Sequence, residues 1–245
     1  IWCSPGDSGD FGLSSAVALT HALRKEFNIP LFLNADHTHT IKSAKQAIDA
    51  GYDSIHIDLS RESWNKNVQG TREVVRYANR KNRAINVEGE LGYIVTESSK
   101  IYGKKITVDP ATLTKPEEAK KFVALTKVDR FAPAVGNLHG IAANRPHLDF
   151  ERIEKLRALL PPETALVLHG GSGNSPIAFK KAIAAGINNI HISTELRIAY
   201  AKAERSSLSQ QKNEITPYKL AAPVVEAVRK KAEYFIKIFN ANNKV

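Results

Sequence analysis

Residues 165–173 read ALVLHGGSG, and this stretch contains the main signals of the predicted fold. A short apolar run at 165–169 predicts a buried strand, and it ends in His169 and a glycine-rich turn. Pro176 then opens a helical pattern that stops at Gly186. A buried strand that passes through a polar turn into a helix is typical of a parallel α/β sheet.

The same unit recurs along the chain. Helical patterns lie between the apolar runs, for example at 40–50, which stops at Gly51, and at 150–160, which Asp149 can cap. The predicted strands are residues 1–4, 30–36, 54–60, 84–90, 128–135, 165–169 and 189–193. No linker rich in Pro, Gly or Ser divides the chain. We therefore predict one domain over residues 1–245, with a mobile loop at 96–110 and an amphipathic C-terminal helix at 217–241.

Two parallel architectures fit this pattern. An open doubly wound sheet uses six or seven strands, whereas a closed (β/α)8 barrel uses eight strands and about 250 residues. Polar side chains follow nearly every run at its carboxyl end, where barrel active sites are built, rather than at one switch point. We therefore predict a (β/α)8 TIM barrel whose first βα unit is missing. The chain contains no methionine, and we expect about 30–40 further residues before Ile1.

The composition indicates which partners and which cellular location to expect. A formal net charge of +10 over 245 residues predicts an anionic partner. The only cysteine, Cys3, excludes a disulfide scaffold and a four-cysteine zinc site, and it fits a cytoplasmic location. No run approaches the roughly 18 apolar residues of a membrane helix, so no membrane partner is expected. No basic stripe is interleaved with aromatic residues, so no nucleic acid partner is expected either.

Three histidines follow three different strands, namely His37, His139 and His169. Three imidazoles with an open fourth position are typical of a catalytic zinc site. His39 and His56 compete as ligands. We expect His56 to face the opposite side of its strand and to belong to the core, because it alternates with two isoleucines.

Carboxylates accompany these histidines. Asp36 precedes His37 and is either the acid/base of a reaction, a carboxylate that supports a ligand, or the cap of the helix that follows. Glu88 and Glu90 share one strand face. Because two acids inside a barrel are costly unless they are paired, they either bind a metal or orient a ligand histidine.

Two turns are suited to a phosphate group. In the turn at 170–173, small residues let backbone N–H groups approach an anion close to a helix N-terminus. Ser193 and Thr194 form a second helix start after the last strand. Phosphate sites after the last two strands are a recurrent feature of barrels.

Six blocks of the chain resemble the class II, zinc-dependent ketose-bisphosphate aldolases, which include fructose- and tagatose-bisphosphate aldolases. The blocks are NADHTHT (34–40), GYDSIHIDLS (51–60), VEGELGY (87–93), PAVGNLHG (133–140), LVLHGGSG (166–173) and IHISTELR (190–197). They follow the family's order across nearly the whole chain.

The resemblance implies a (β/α)8 barrel that reversibly cleaves a ketose 1,6-bisphosphate. Fructose 1,6-bisphosphate, which yields dihydroxyacetone phosphate and glyceraldehyde 3-phosphate, is the foremost expectation. Tagatose bisphosphate, another class II aldolase substrate and a non-aldolase zinc barrel enzyme are the alternatives. The resemblance also implies Zn²⁺, allows a monovalent cation (Na⁺ or K⁺), and implies a homodimer or homotetramer.

The resemblance further implies roles for individual residues. Zinc ligands would be His37, His139 and His169, with Glu90 among the acids near an alternative metal position. Asp36 would be the acid/base at the C4 hydroxyl, and Glu97 is the candidate loop acid. The implied substrate- and phosphate-binding residues are Ser4, Gly140, Gly170, Gly171, Ser172, His191, Ser193 and Thr194.

Two features depart from the family pattern. Many members carry asparagine where His191 stands. The loop at 92–100 also lacks the usual glycine pair, and Glu97 falls about one place away from the family's loop glutamate.

Overall fold

Seven parallel strands form a single sheet in chain order. The computed structural model describes residues 2–3, 12–94, 96–97, 99–144 and 147–241. The strands are β1 Trp2–Cys3, β2 Asn34–Thr38, β3 Ser54–Ile57, β4 Asn86–Leu91, β5 Arg130–Pro133, β6 Ala165–Leu168 and β7 Ile187–Ile190. Each strand therefore falls within or beside one of the predicted apolar runs.

Helices connect the strands and cover the outer face of the sheet. They are α1 Leu13–Phe27, α2 Ile41–Ala50, α3 Trp64–Lys81, α4 Pro116–Thr126, α5 Phe150–Leu159, α6 Pro176–Ala184, α7 Thr194–Gln210 and α8 Pro217–Ile238, with a short 3₁₀ helix at Pro110–Thr112. Their ends follow local signals: Asp149 Oδ1 accepts the Arg152 N–H at 2.9 Å. Gly51 ends α2 with a left-handed φ of +100°.

The sheet is strongly curled. The rings of His37 on β2 and His169, which follows β6, have centroids only 4.7 Å apart. In a flat sheet, four strand spacings of about 4.8 Å would separate them by about 19 Å. The side chains at the carboxyl ends therefore converge on one axis, as the barrel prediction requires.

The curled sheet is open between β1 and β7. These two strands are its edges, and no hydrogen-bonded pairing joins them in the described residues. The structure thus shows a parallel α/β half-barrel, while the closed eight-stranded ring remains a prediction.

The two faces of the sheet differ in chemistry. Ile55, Ile57 and Val87 point outward and join the apolar core with residues of the helices. His56 and Glu88 alternate with them and enter the sheet's interior, where both are fully buried. The expectation that His56 would be a core residue on the opposite face from the site is therefore wrong. The outer face is the apolar one in this architecture, because it packs against the helices.

The segment at 96–110 lies against residues 141–144. Tyr102 N–H donates to the Ile141 carbonyl at 2.7 Å, and Ile141 N–H donates to the Lys100 carbonyl at 2.9 Å. The structure does not test the mobility predicted for this segment.

Among the helices in the described part of the chain, none is long and apolar enough to cross a membrane.

Polar side chains join the amino ends of neighbouring strands. Asp53 Oδ2 accepts the Leu33 N–H at 2.7 Å, and Asp129 Oδ2 accepts the Val87 N–H at 2.8 Å. Asn188 Oδ1 accepts the Leu166 N–H at 3.0 Å in the same way. These bonds satisfy backbone donors where the ladder of the sheet begins.

We predict that Asp129→Ala lowers the free energy of unfolding by about 1 kcal/mol, because the Val87 N–H loses its acceptor. Chemical denaturation measures this change. Asp129→Asn keeps an acceptor oxygen and should remain close to the wild-type protein. Equal stability of Asp129→Ala and wild type would contradict this role.

Candidate active site

The predicted site residues converge at the carboxyl ends of the strands. One cleft, called the main cleft, is lined by Asp36, His37, His139, Gly140, His169, Gly170, Gly171, Ser172, His191, Ser193 and Thr194. A neighbouring cleft, called the loop-side cleft, shares His37 and His139 with it and adds Glu90 and Glu97. Ser4 lies outside the described residues.

A break in β2 lets two consecutive residues face the same site. The register of β2 against β3 shifts between Ala35 and Thr38. His37 lies in this shift with φ +49°, a left-handed conformation that is uncommon for residues other than glycine. Asp36 and His37 therefore both enter the main cleft, although neighbours in a regular strand point to opposite faces.

Three imidazoles stand together at the centre of the site. The ring centroid of His37 lies 5.0 Å from that of His139 and 4.7 Å from that of His169. The centroids of His139 and His169 are 6.0 Å apart. They come from the ends of three different strands, and only the curl of the sheet brings them together.

Each of these rings donates one N–H to a fixed acceptor. His37 Nδ1 donates to Asp58 Oδ2 at 2.8 Å, and His169 Nε2 donates to Glu88 Oε1 at 2.6 Å. His139 Nδ1 lies 3.3 Å from the Thr96 carbonyl. These bonds leave His37 Nε2, His139 Nε2 and His169 Nδ1 as the nitrogens with a lone pair for a metal. The acceptor at Thr96 is a backbone group, so no sequence pattern could indicate it.

Burial favours the neutral form in two of the three rings. It lowers the pKa of His139 to about 4, and the neighbouring His37 acts in the same direction. The pKa of His169 also lies well below its ordinary value, through burial and the closeness of His191. For His37, burial and His56 lower the pKa, but the hydrogen bond to Asp58 and nearby carboxylates outweigh them, and the pKa is raised. Neutral imidazole is the form that binds metal.

Asp36 lies beside the imidazoles. Its Oδ1 is 3.3 Å from His191 Nδ1 and 3.8 Å from His56 Nδ1. Burial would raise the pKa of Asp36, but its contacts with these two rings outweigh burial and hold the pKa well below the ordinary value. Asp36 is therefore a carboxylate at neutral pH, as a general base must be.

Glu90 is buried beside the edge of the His56 ring that faces away from Asp36. Its Oε2 lies 3.2 Å from His56 Nε2 but has no hydrogen-bond partner in the part of the chain that the structure describes. Burial and the nearby Asp58 raise the pKa of Glu90. A cation close to Glu90 would compensate its charge.

The histidine and carboxylate groups of the site fit a transition-metal ion. One ligand atom each from Asp36, His37, His56 and His169 lie within 4.8 Å of one another, as do ligand atoms of His37, Asp58 and Glu90. Imidazole nitrogen and carboxylate oxygen, without thiolate, are donors that suit zinc. His139 lies outside these groups, and so does His39, whose side chain is 59% exposed.

The glycine turns form a tight cradle at one side of the main cleft. Gly170 has φ +63°, and a Cβ there would lie 2.3 Å from the Leu138 carbonyl oxygen. Ser193 precedes α7 as its N-cap, and its Oγ is buried with no hydrogen-bond partner among the described residues. An unpaired hydroxyl at a helix N-terminus, close to glycine backbone, suits an anionic oxygen.

Glu97 occupies a more exposed position than the other site residues. It lies in the loop-side cleft, where it forms an ion pair with Lys100. The hydrogen bond from Lys100 lowers the pKa of the Glu97 carboxyl. The structure therefore brings Glu97 near the imidazoles without placing it in the main cleft.

The fold and the site together define a class of protein. It is an α/β half-barrel whose polar centre lies at the carboxyl ends of parallel strands, where histidine and carboxylate groups that could hold a metal ion lie beside glycine-rich turns.

Comparison with known proteins identifies the family. The family model for class-II fructose-bisphosphate aldolase matches residues 1–244. Fructose-bisphosphate aldolase of Staphylococcus aureus strain Mu50 is 34% identical over 235 residues, which are 95% of this chain and 79% of that protein. The enzyme of Geobacillus stearothermophilus is also 34% identical, over 89% of this chain and 74% of that protein.

A solved structure agrees with these matches. The crystal structure of the YdjI aldolase from Escherichia coli K12 superposes with a TM-score of 0.81 at 27% identity, covering 100% of this chain and 82% of that one. The chain therefore belongs to the class II fructose-bisphosphate aldolase family, whose members are lyases.

We predict that His37→Ala abolishes stoichiometric zinc binding, because it removes a central donor of the cluster. Asp58→Asn should weaken binding by about 10–100-fold, since it disturbs the hydrogen bond that supports that ring. Metal analysis after dialysis measures both effects. His21→Ala, an exposed histidine on α1, is the matched control and should bind zinc as the wild type does. Full zinc occupancy in His37→Ala would contradict the assignment.

Proposed function

We propose that the protein is a zinc-dependent aldolase that reversibly cleaves fructose 1,6-bisphosphate into dihydroxyacetone phosphate and glyceraldehyde 3-phosphate. The observation that carries this proposal is the meeting of three imidazoles, a low-pKa carboxylate and a glycine cradle in one cleft. Membership of the family supports the reaction class, and the names of the curated relatives support the substrate.

The proposed metal ligands are His37, His139 and His169, with Glu90 as a further donor. A zinc ion held there would supply Lewis acidity that stabilises the negative charge developing on the ketose carbonyl oxygen. Asp58 and Glu88 accept hydrogen bonds from two of these rings and so keep their lone pairs directed into the cleft.

Asp36 is the proposed base. Its carboxylate takes the proton from the C4 hydroxyl as the C3–C4 bond breaks, and returns that proton in the condensation direction. His191 Nδ1 and His56 Nδ1 both face Oδ1 of this carboxylate, at 3.3 and 3.8 Å, and they keep the pKa of Asp36 low. His191, which also lines the main cleft, would contact the substrate.

The phosphate of the dihydroxyacetone portion is assigned to the cradle. The residues assigned to hold it line the main cleft, namely Gly140, Gly170, Gly171, Ser172, Ser193 and Thr194. The two turns are tied together, since Glu195 N–H donates to Ser172 Oγ at 3.2 Å and Gly173 N–H donates to Glu195 Oε1 at 3.0 Å. A monovalent cation, Na⁺ or K⁺, also belongs to the proposal.

Glu97 is the proposed donor of the proton to C3. Because Lys100 holds its carboxyl ionised, the loop at 96–110 must change conformation before Glu97 acts as an acid. Ser99 N–H donates to Thr194 Oγ1 at 3.2 Å, so the loop already contacts one wall of the cradle.

The proposal extends to architecture and setting. We infer a (β/α)8 barrel in which an eighth strand pairs with both β1 and β7. In the described residues these two edge strands of the curled sheet do not pair with each other. A homodimer or homotetramer in the cytoplasm is proposed from the family.

The direct test is a cleavage assay on fructose 1,6-bisphosphate and tagatose 1,6-bisphosphate, coupled to detection of the triose phosphates. Activity with fructose 1,6-bisphosphate should vanish after chelation and return with Zn²⁺. A preference for the tagatose epimer would correct the substrate alone. Undiminished cleavage after verified removal of metal would refute the zinc mechanism, and no cleavage of either sugar would refute the function.

We predict that Asp36→Asn lowers kcat by about 10²–10⁴-fold, because the C4 hydroxyl loses its base. Steady-state kinetics with the zinc-loaded protein measures the change, and metal analysis should show wild-type occupancy. Asp49→Asn, an exposed carboxylate on α2, is the control and should leave kcat unchanged. Near-normal turnover in Asp36→Asn would assign the base elsewhere.

A further inference from the structure

We propose that Arg130 is a positioning residue for the metal site, because it holds Glu88 in the place from which Glu88 orients His169. The inference rests on the metal-binding part of the proposed function. It concerns a buried cation of the sheet's interior to which no sequence motif points.

The register of the sheet places Arg130 beside Glu88. The two residues are direct partners on the adjacent strands β5 and β4. Paired residues of neighbouring parallel strands point to the same face, so both side chains enter the interior. Arg130 Nε lies 3.4 Å from Glu88 Oε2, with the Glu88 side chain fully buried and that of Arg130 only 14% exposed.

The two oxygens of Glu88 serve two different groups. Oε1 accepts the His169 Nε2–H at 2.6 Å, whereas Oε2 faces the guanidinium and has no hydrogen-bond partner among the described residues. A carboxylate held at one oxygen alone can rotate about its last carbon–carbon bond. The ion pair to Arg130 removes this freedom, and the plane of the carboxylate then fixes the ring of His169.

The other end of Arg130 is anchored as well. Its Nη2 donates to Asn34 Oδ1 on β2 at 2.6 Å, and the same oxygen accepts the Ser54 hydroxyl at 2.7 Å. A guanidinium remains charged throughout the physiological pH range, so Arg130 supplies a permanent positive charge beside Glu88. Arg130 therefore connects the interior of the sheet to a metal ligand through one carboxylate.

A role for Arg130 that is limited to bracing the sheet would give a different experimental result. If Arg130 only braced β5 against β2, loss of its bond to Asn34 would have the same consequences as loss of the whole side chain. Asn34→Ala breaks the brace and leaves the pair with Glu88 in place, so it is the matched control.

The experiment measures the zinc dissociation constant of metal-free protein by competition with a chromophoric chelator, together with Tm. Arg130→Met should weaken zinc binding by about 10–100-fold, the range expected when the support of a ligand is lost. Arg130→Lys keeps the positive charge and should recover part of this loss. Asn34→Ala should lower Tm yet bind zinc within about twofold of the wild type. At saturating zinc, kcat of Arg130→Met should return towards the wild-type value.

Several results would overturn the proposal. Zinc binding by Arg130→Met that is as tight as in the wild type, or tighter, would show that Arg130 does not position a ligand. An equal weakening in Asn34→Ala would reduce Arg130 to a brace. If Arg130→Met does not fold, Arg130→Gln is compared with the same controls. Failure of the wild-type protein itself to bind zinc would defeat the proposed function. Unchanged zinc affinity in Arg130→Met would defeat only the role of Arg130.

Discussion

Buried negative charge must be compensated inside the curled sheet, and this requirement governs how the polar residues there are arranged. Asp36, Glu88 and Glu90 are buried inside the curled sheet, and Asp58 is nearly so. Isolated charges in such surroundings cost several kcal/mol each, so they persist only with partners. Imidazoles and Arg130 supply part of the compensation, and a divalent cation among the three central rings would supply more. The same electrostatic demand thus shapes the interior of the fold and prepares a site for metal.

Geometry at one residue turns this polar interior into a candidate catalytic centre. The left-handed backbone of His37 costs of order 1–3 kcal/mol and persists because surrounding contacts over-determine it. Its N–H donates to His56 Nδ1 at 3.3 Å, and its ring donates to Asp58. The conformation brings a proposed metal ligand and a proposed base from consecutive positions into one cleft.

Much of this arrangement can be predicted from the sequence, for identifiable reasons. The order of strands and helices follows from apolar runs, caps and glycine stops, and the polar groups at strand ends indicate the edge where a site forms. His56 could not be assigned by alternation alone, because alternation separates two faces without showing which one meets the helices. The group that accepts from His139 is the backbone carbonyl of Thr96, which no residue type identifies. Arg130 on β5 reaches Asn34 on β2 only because the sheet curls. Contacts of that kind depend on curvature, which no local pattern encodes.

X-ray absorption spectroscopy at the zinc edge, on protein loaded with one equivalent of zinc, tests the proposed metal centre. We expect a first shell of nitrogen and oxygen at about 2.0–2.1 Å with the multiple scattering of about three imidazoles. A shell with fewer than two imidazoles, or a sulfur scatterer at about 2.3 Å, would contradict it. In that case the three rings would be a buried polar cluster and not a metal centre.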